Sequence, residues 1–427
     1  MIIRSVMALF ILALLTGCGG GGGSSGGSSS PTSTSAQIST DSSLNLGVAV
    51  VGSSSSRQLT IKNTGSANLV IGQISLANSS SSFSIPSKTD NCSGKTLAPS
   101  AQATLQIQLS PSAQTDYTNT LTIPSNDSSH NPFRVSLTGE GRALGVQIDQ
   151  VIVNSSTGVM DVYVSVVDSN GAPVTNLSTS TQNPVFSISE NGVQQTITSI
   201  TQPAAATSPI SVALVLDYSG SIPAADNTTM QGAAKTFIDN LLTLNSGNEA
   251  AIVKFATNIG LQQNFTSNQT LLDTAIDATY PGDTSDTLIF DTVFTTIDYT
   301  AANAPNSLKA IILFSDGEDY SPVHTLQDVI NEAIVKNIPI YTIIYLDAQD
   351  PKPGIMQEMA QETGGQYLSI NAVSQLTDIF TQITQVLGNQ YLLEYHTSSS
   401  VGASLSLDVE INNNGNLGGT SKVVTSM

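Results

Sequence analysis

A run of five apolar residues that ends in alternating oxygen-bearing side chains limits this fold most strongly. Val212–Leu216 is apolar throughout, which is typical of a parallel strand covered on both faces. The run leads directly into Asp217, Ser219 and Ser221. Ligands of open α/β sheets bind beyond the carboxyl ends of the strands, so these oxygens lie where a site is expected. One carboxylate and two hydroxyls from one loop favour a hard cation, Mg²⁺ or Mn²⁺.

Residues 210–388 alternate strand patterns with amphipathic helix patterns. The first helix has Asp226 as its expected N-cap, and a second clear helical pattern covers Val373–Leu387. Alternating strands and helices predict a doubly wound, mostly parallel sheet of the α/β, Rossmann-like class. The predicted strands are Ile210–Leu216, Ala250–Phe255, Leu308–Phe314, Ile338–Leu346 and Gln366–Ile370.

Two segments downstream supply matching oxygens. Thr287 stands just before a predicted helix, and Asp316 follows the apolar strand Leu308–Phe314. With Asp217–Ser221, they resemble the three loops of the metal-ion-dependent adhesion site (MIDAS) of the von Willebrand factor type A (vWA) domain. That resemblance implies neutral oxygens from the two serines and the threonine, while both aspartates contribute directly or through water. Ser285-Asp286 stands where the family usually has two glycines.

The resemblance implies metal-dependent adhesion or protein binding. Neutral hydroxyls do not cancel the charge of the cation, so its open position can accept a carboxylate from a partner protein, as in adhesive members of the family. Simpler interpretations also exist, because Ser219 or Ser221 could cap the following helix and Asp316-Gly317 could form only a turn. Three other acidic residues are expected to be solvated charges at the rim: Asp283, Glu318 and Asp319.

Residues 36–142 show the pattern of an antiparallel, Ig-like β-sandwich of about seven short strands. The pieces KNTG (62–65) and LTGEG (137–141) resemble the bacterial choice-of-anchor D repeat, which is related to the ASH modules. A spacer or stalk is the expected role, with a dedicated binding module as the alternative. Cys92 lacks the second cysteine usual in the family, so we expect a free, half-buried thiol; a reactive cysteine is the alternative.

Two segments flanking the α/β region, residues 143–209 and 389–427, are also strand-like. Neither has enough strands for a core of its own, so we expect them to form one small β-sandwich into which residues 210–388 are inserted. The segments VVDSNGAPVTNL (166–177) and TGGQYLSINAVSQLTDIF (363–380) resemble the von Willebrand factor A–related proteins of Acidobacteria. That resemblance concerns architecture, because no specific activity belongs to that family.

The first 35 residues have the features of an exported, anchored protein. Arg4 precedes an apolar run, Val6–Leu15, which is shorter than the ~20 residues of a membrane span. Leu15–Cys18 resembles a bacterial lipobox, which implies removal of residues 1–17 and lipidation of Cys18; an ordinary secretory signal is the alternative. Residues 18–35 are rich in Gly and Ser and predict a flexible tether. Gly19 stands where lipoproteins retained at the inner membrane carry aspartate, which favours an outer-membrane location, on its periplasmic or surface face.

Charge and motif content exclude two function classes. Lys plus Arg number 13 against 32 for Asp plus Glu, giving a net charge of −19 that disfavours nucleic acid as a partner. The three histidines are isolated, and Ser219 does not lie in Gly-x-Ser-x-Gly, so no enzyme is expected. The sequence therefore predicts a lipid-anchored protein of the bacterial cell envelope with a metal-dependent binding domain. The alternative is a structural or assembly scaffold whose metal site only stabilises the fold, with partners on the β-domains.

Overall fold

The computed structural model describes residues 35–79, 82–154, 156–182, 184–202, 208–280, 287–320, 322–348, 351–397, 399 and 403–425. The predicted signal segment, Cys18 and nearly all of the predicted tether lie outside these residues. Within the described part of the chain, no helix has both the length and the apolar character that crossing a membrane would require.

The N-terminal region is the predicted β-sandwich, with short strands that the sequence pattern does not resolve. Its strands are β1 (Ile38–Ser39), β2 (Ser43–Val50), β3 (Ser55–Asn63), β4 (Leu69–Val70), β5 (Ser75–Leu76), β6 (Phe83–Ser84), β7 (Thr96–Leu97), β8 (Gln102–Leu109), β9 (Asp116–Ile123) and β10 (Phe133–Arg142). Two sheets, β1-β3-β8-β6 and β2-β10-β9-β5, face each other, and β4 pairs with β7. Alternate residues such as Leu59, Ile61, Leu105 and Ile107 fill the core between them.

A second, smaller sandwich is built from two separate parts of the chain. Its strands are β11 (Gly145–Asn154), β12 (Val159–Val167), β13 (Phe186–Glu190), β14 (Val193–Gln195), β15 (Ile197–Thr201), β22 (Tyr391–His396), β23 (Ser404–Asn413) and β24 (Asn416–Thr425). The sheets are β11-β12-β22-β15 and β14-β13-β23-β24. Strand β22, which follows the α/β region, lies between β12 and β15, which precede it. Val162, Ile188, Leu393 and Leu407 share one core.

The α/β region between them has a six-stranded mixed sheet. Its elements are β16 (Ile210–Asp217), α1 (Asn227–Leu244), β17 (Glu249–Phe255), β18 (Ile259–Thr266), α2 (Gln269–Asp277), α3 (Ile289–Asn303), β19 (Leu308–Ser315), α4 (Leu326–Lys336), β20 (Ile340–Tyr345), α5 (Pro353–Thr363), β21 (Tyr367–Ile370) and α6 (Leu376–Gly388). The strand order is β18-β17-β16-β19-β20-β21, and pairing is parallel except between β17 and β18. The predicted α/β class is confirmed.

Strand β16 is buried along its whole length, which explains its unbroken apolar run. Val212, Leu214 and Leu216 face one core, while Ala213 and Val215 face the core on the other side of the sheet. Because both faces are covered by helices, no position on this strand requires a polar side chain before Asp217.

Two local expectations differ from the structure. Asp226 does precede α1, but its side chain makes no capping hydrogen bond, because a 3₁₀ turn at Ala224–Asp226 leads into the helix. Strand β18 was not predicted, since its residues are exposed or half-buried at the edge of the sheet. Such an edge strand needs no apolar run, so periodicity gives little signal for it.

Helix α5 contacts both sandwiches. The side chain of Gln357 accepts a hydrogen bond from the backbone N–H of Ser56 in β3, at 3.0 Å. At the C-terminal end of the helix, the carbonyl oxygen of Thr363 accepts a hydrogen bond from Lys422 Nζ in β24, at 3.1 Å. The helix thus links the α/β region to the N-terminal sandwich and to the small sandwich.

Candidate metal centre

Asp217 and Asp316 meet because β16 and β19 are adjacent parallel strands. Leu216 pairs with Phe314 at the carboxyl ends, so the loops that follow both strands leave the sheet side by side. Ser315 Oγ donates a hydrogen bond to Asp217 Oδ2 at 2.6 Å, and Asp217 Oδ1 accepts from the backbone N–H of Ser219 at 2.8 Å. Both aspartates are fully buried, at the carboxyl ends of these two adjacent strands.

The predicted hydroxyl ligands lie on loops at the same end of the sheet, where the parallel strands have their carboxyl ends. Ser219 Oγ and Ser221 Oγ are 3.0 Å apart. Thr287 is buried immediately before α3, and its carbonyl oxygen accepts a hydrogen bond from the backbone N–H of Tyr320 at 2.8 Å. This bond joins the threonine loop to the loop after β19. Helix α1 begins only at Asn227, so capping it does not explain the two serines.

Asp316 has one carboxylate oxygen without a hydrogen-bond partner. Its Oδ1 accepts a hydrogen bond from the backbone N–H of Glu318 at 3.2 Å. Its Oδ2 is buried, and none of the described residues donates a hydrogen bond to it. A buried, unpaired carboxylate oxygen is costly unless a cation or a proton compensates it. Gly317 has a positive φ of 82°, but the local backbone conformation alone does not account for this orphaned oxygen.

The electrostatics of the two aspartates favour a bound cation. Burial, and next the charge of Asp316, raise the pKa of Asp217 to about 7, although hydrogen bonds from Ser219 and Ser315 oppose the shift. Two carboxylates with several hydroxyls form a hard-oxygen set that fits Mg²⁺ or Mn²⁺. In the described part of the chain, no group of three or more His, Cys, Asp or Glu residues could hold a metal. A metal at this edge would therefore depend on neutral hydroxyl oxygens beside the two carboxylates.

Sequence comparison agrees with this geometry. The von Willebrand factor type A domain family matches residues 211–382. Residues 211–382 are a vWA domain. The family described as abnormal spindle-like microcephaly-associated, ASPM-SPD-2-Hydin (ASH) matches residues 31–132, so the N-terminal sandwich is an ASH domain. No curated protein matches the chain.

Three solved structures illustrate what the chain is similar to. A von Willebrand factor type A protein from Catenulispora acidiphila is 13% identical with a TM-score of 0.38, over 66% of this chain and 73% of that one. The vWF domain of the type V pili tip protein Mfa5 from Porphyromonas gingivalis is 15% identical with a TM-score of 0.35, over 42% of this chain and 95% of that one. Proximal thread matrix protein 1 from the mussel byssus, with a zinc-occupied MIDAS motif, is 16% identical with a TM-score of 0.38. The match covers 47% of this chain and 50% of that one. This chain therefore spans about half of that mussel protein.

Asp319 of the vWA domain is not the solvated rim charge that the sequence suggested. It is half-buried, and its Oδ1 accepts a hydrogen bond from the backbone N–H of Phe290 in the first turn of α3, at 3.3 Å. Its Oδ2 is buried without a partner among the described residues. Burial raises the pKa of Asp319 to about 6. Glu318 is half-buried too and accepts a hydrogen bond from the Tyr320 hydroxyl at 3.0 Å, while Asp283 lies outside the described residues, as do Ser285 and Asp286.

The sequence analysis did not single out Asp291, which holds in place the segment at Val323 and His324, beyond the loop that follows β19. Its carboxylate accepts hydrogen bonds from the backbone N–H groups of Val323 (3.1 Å) and His324 (2.9 Å), and it lies 2.6 Å from His324 Nδ1. Although burial opposes the shift, these hydrogen bonds and the nearby imidazole lower the pKa of Asp291. The sequence did contain one signal for it. Asp291 is an acidic residue in the first turn of α3, the helix that follows the predicted ligand Thr287.

Cys92 of the ASH domain is free, as expected, but it is wholly buried rather than half-buried. Burial, with a smaller contribution from the charge of Asp90, raises its pKa to about 12. A buried thiol with so high a pKa holds very little thiolate at neutral pH, so the structure favours a packing role over a reactive one.

Proposed function

We propose that the vWA domain binds Mg²⁺, or Mn²⁺, and through it a carboxylate of a protein ligand. The ligands of the metal would be Asp217, Ser219, Ser221, Thr287 and Asp316. The observation that carries this proposal is the buried Oδ2 of Asp316, which lacks a hydrogen-bond partner among the described residues and follows the strand beside that of Asp217. When bound, the metal would supply an electrophilic position open to an external oxygen.

The chain's own residues would hold this site in shape. The hydroxyl of Ser315 donates to Asp217 Oδ2, which leaves Asp217 with a fixed orientation. Gly317 follows Asp316 with a positive φ of 82°, and the residues beyond it, Asp319 and Tyr320, bond to the start of α3 and to Thr287. A site fixed before the ligand arrives loses less conformational freedom on binding, which supports affinity.

The proposed role is binding rather than catalysis. Ser219 Oγ lies 3.0 Å from the hydroxyl of Ser221, and the carboxylate that its side chain also hydrogen-bonds, that of Asp217, is itself a proposed metal ligand rather than a free base. The histidine near this part of the domain, His324, is engaged with Asp291 and stacks on Phe294 at 3.9 Å. These contacts favour a binding role for the domain over a catalytic one.

The cellular setting is proposed from the sequence. We place the protein in the bacterial cell envelope, anchored by lipid on Cys18 and located at the outer membrane. Metabolic labelling with a clickable palmitate analogue tests the anchor: the native chain should incorporate label and the Cys18→Ser variant should not. Label in the variant, or none in the native chain, would contradict lipidation at this cysteine.

The binding function is tested by affinity capture from an envelope extract. The bait is the chain from residue 18 onward carrying Cys18→Ser, used in Mg²⁺, in EDTA, and with Asp217→Ala. Asp239→Ala, a change at an exposed residue of α1, serves as the matched control. A partner present in Mg²⁺ and with the control, but lost in EDTA and with Asp217→Ala, supports carboxylate-to-metal binding. A partner retained under all conditions contradicts it and places the function on the β-domains, as in the scaffold alternative.

A further inference from the structure

A cleft of about 750 Å³ lies where the ASH domain, the small sandwich and the vWA domain meet. It shares no residue with the proposed metal centre. Its volume lies within the range of about 300–1,000 Å³ that is usual for small-ligand sites. The cleft therefore has the size of a second binding site, independent of the metal.

Strand edges rather than strand faces form much of its wall. The consecutive residues Asn45–Val50 of β2 and Gly365–Ser369 at β21 line the cleft. Each of these strands is the last in its sheet, as are β11 and β24, which also contribute. Successive side chains of a strand point to opposite faces, so a consecutive run indicates that the edge itself faces the cleft. Edges present backbone N–H and C=O groups to a ligand.

Two buried polar atoms of the lining lack hydrogen-bond partners among the described residues. They are Arg57 Nε, a donor, and Gln366 Oε1, an acceptor. The other end of the Arg57 guanidinium is engaged, because its Nη2 bonds to Glu362. Buried polar atoms are rarely left unpaired. A ligand that satisfies both atoms must offer an acceptor and a donor.

The charged side chains of the cleft are already compensated. Arg57 pairs with Glu362, and Glu140 pairs with Arg142. The carboxylate of Asp149, fully buried at the inner wall, accepts hydrogen bonds from Ser165 Oγ (2.6 Å) and the Tyr341 hydroxyl (2.9 Å). Asp168 accepts from the backbone N–H groups of Asn170 and Ala172. An ionic ligand would find no unpaired opposite charge among these groups, so the wall favours a neutral ligand.

Carboxamides and hydroxyls make up the remaining polar lining, and the carboxamides include the side chains of Gln147, Asn170, Gln361, Gln366 and Gln382. Each carboxamide is both a donor and an acceptor, as is each hydroxyl group of a neutral polyol. Tyr367, half-buried in the same wall, adds an aromatic ring against which C–H groups can pack. We propose that this cleft binds a neutral, hydroxyl-rich ligand, a mono- or disaccharide unit, with Arg57 Nε and Gln366 Oε1 among its contacts.

The test uses the chain from residue 18 onward carrying Cys18→Ser, in EDTA so that the metal centre is not involved. Cellobiose, maltose and N,N′-diacetylchitobiose are titrated at millimolar concentration and followed by saturation-transfer NMR and calorimetry. Glucose 6-phosphate and a neutral acetylated Ala-Ser-Ala amide are the comparison ligands. Saturable binding of at least one neutral disaccharide, in preference to both comparison ligands, is the expected result.

Two variants locate that binding in the cleft. Gln366→Leu removes the orphaned acceptor and should weaken binding roughly two- to tenfold, the usual effect of one neutral hydrogen bond. Ser369→Trp places a large ring at an exposed lining position of β21 and should abolish binding. Gln269→Leu, on the exposed start of α2, is the matched control and should bind as the parent does. Thermal melts verify that each variant is folded.

Three results would overturn the proposal. The first is that no neutral disaccharide binds, and the second is that the phosphate or the peptide binds in their place. The third is that both folded cleft variants bind a disaccharide as strongly as the parent does. If either cleft variant loses disaccharide binding as predicted while Gln269→Leu does not, the result supports the assignment of the binding site to this cleft.

Discussion

The backbone N–H of Lys352 donates a hydrogen bond to the carbonyl oxygen of Asp316, with an N–O distance of 2.8 Å. Lys352 is the residue just before α5, and Asp316 is a proposed metal ligand. One turn into the same helix, Gln357 accepts a hydrogen bond from Ser56 of the ASH domain. Helix α5 therefore connects the ASH domain to the loop that carries the metal ligand.

Gly317→Ala should disturb this connection. Gly317 has a φ of 82°, and an added Cβ would lie 2.9 Å from the carbonyl oxygen of Lys352. The left-handed backbone costs an alanine about 1–2 kcal/mol, and the clash adds to that cost. We expect a lower melting temperature and weaker Mg²⁺ binding. Gly192→Ala is the control, since its φ is 78° and nothing lies within 4 Å of the added Cβ. Equal effects of both substitutions on Mg²⁺ binding would contradict the role of this contact.

Ser315→Ala should weaken Mg²⁺ binding without removing a proposed metal ligand. The Ser315 hydroxyl donates to Asp217 Oδ2, and loss of such a supporting bond usually weakens metal affinity roughly 10- to 100-fold. Calorimetric titration with Mg²⁺ measures the change. Ser211→Ala, another fully buried serine at the opposite end of the same sheet, should leave the affinity unchanged. Normal Mg²⁺ affinity in Ser315→Ala would show that this hydrogen bond does not orient Asp217.

Asp149 should make stability depend on pH. Burial raises the pKa of Asp149 to about 6, although hydrogen bonds from Ser165, Tyr341 and Gln390 and the charge of Lys422 oppose the shift. Between about pH 4 and about pH 6, Asp149 is therefore protonated in the folded state but ionised in the unfolded state. The contribution of this group to stability is therefore largest below that window and falls as the pH rises through it.

Urea unfolding in EDTA across this pH window tests that direction. The free energy of unfolding of the parent minus that of Asp149→Asn should decrease as the pH rises, because the asparagine does not titrate. Asp239→Asn, at an exposed position, gives the control difference. A difference for Asp149→Asn that stays constant or increases with pH would contradict the raised pKa.

Cys92 should be unreactive in the folded protein. Its thiol is fully buried, and its pKa is raised to about 12. In the chain carrying Cys18→Ser it is the remaining cysteine, so labelling with 5,5′-dithiobis(2-nitrobenzoate) reports on it alone. We expect no reaction under native conditions and one equivalent in urea. Rapid labelling of the folded protein would indicate an accessible thiol.

The sequence predicted the elements whose pattern is set by burial. Strand β16 has an unbroken apolar run because helices cover both faces of the sheet, and the polar residues after it mark where that cover ends. The adjacency of Asp217 and Asp316 followed from parallel strand ends. The class of the vWA domain and the sandwich form of the ASH domain were predictable for these reasons.

Features that depend on contacts between distant segments were not predictable. The burial of Asp319 arises where the loop after β19 meets the start of α3, and no local pattern encodes it. Strand β18 pairs only on one side and is largely polar, so it lacks a periodic signal. The cleft arises because edges of separate sheets meet, which a single-chain pattern does not reveal.

Calorimetric titration of Mg²⁺ into the chain carrying Cys18→Ser, compared with the same chain carrying Asp316→Ala, tests the central claim most directly. Asp298→Ala, an exposed change on α3, is the control. The proposed metal centre predicts one Mg²⁺ bound per chain in the parent and the control, and none in Asp316→Ala. Equal Mg²⁺ binding in all three, or no binding in the parent, would contradict a metal centre at Asp316.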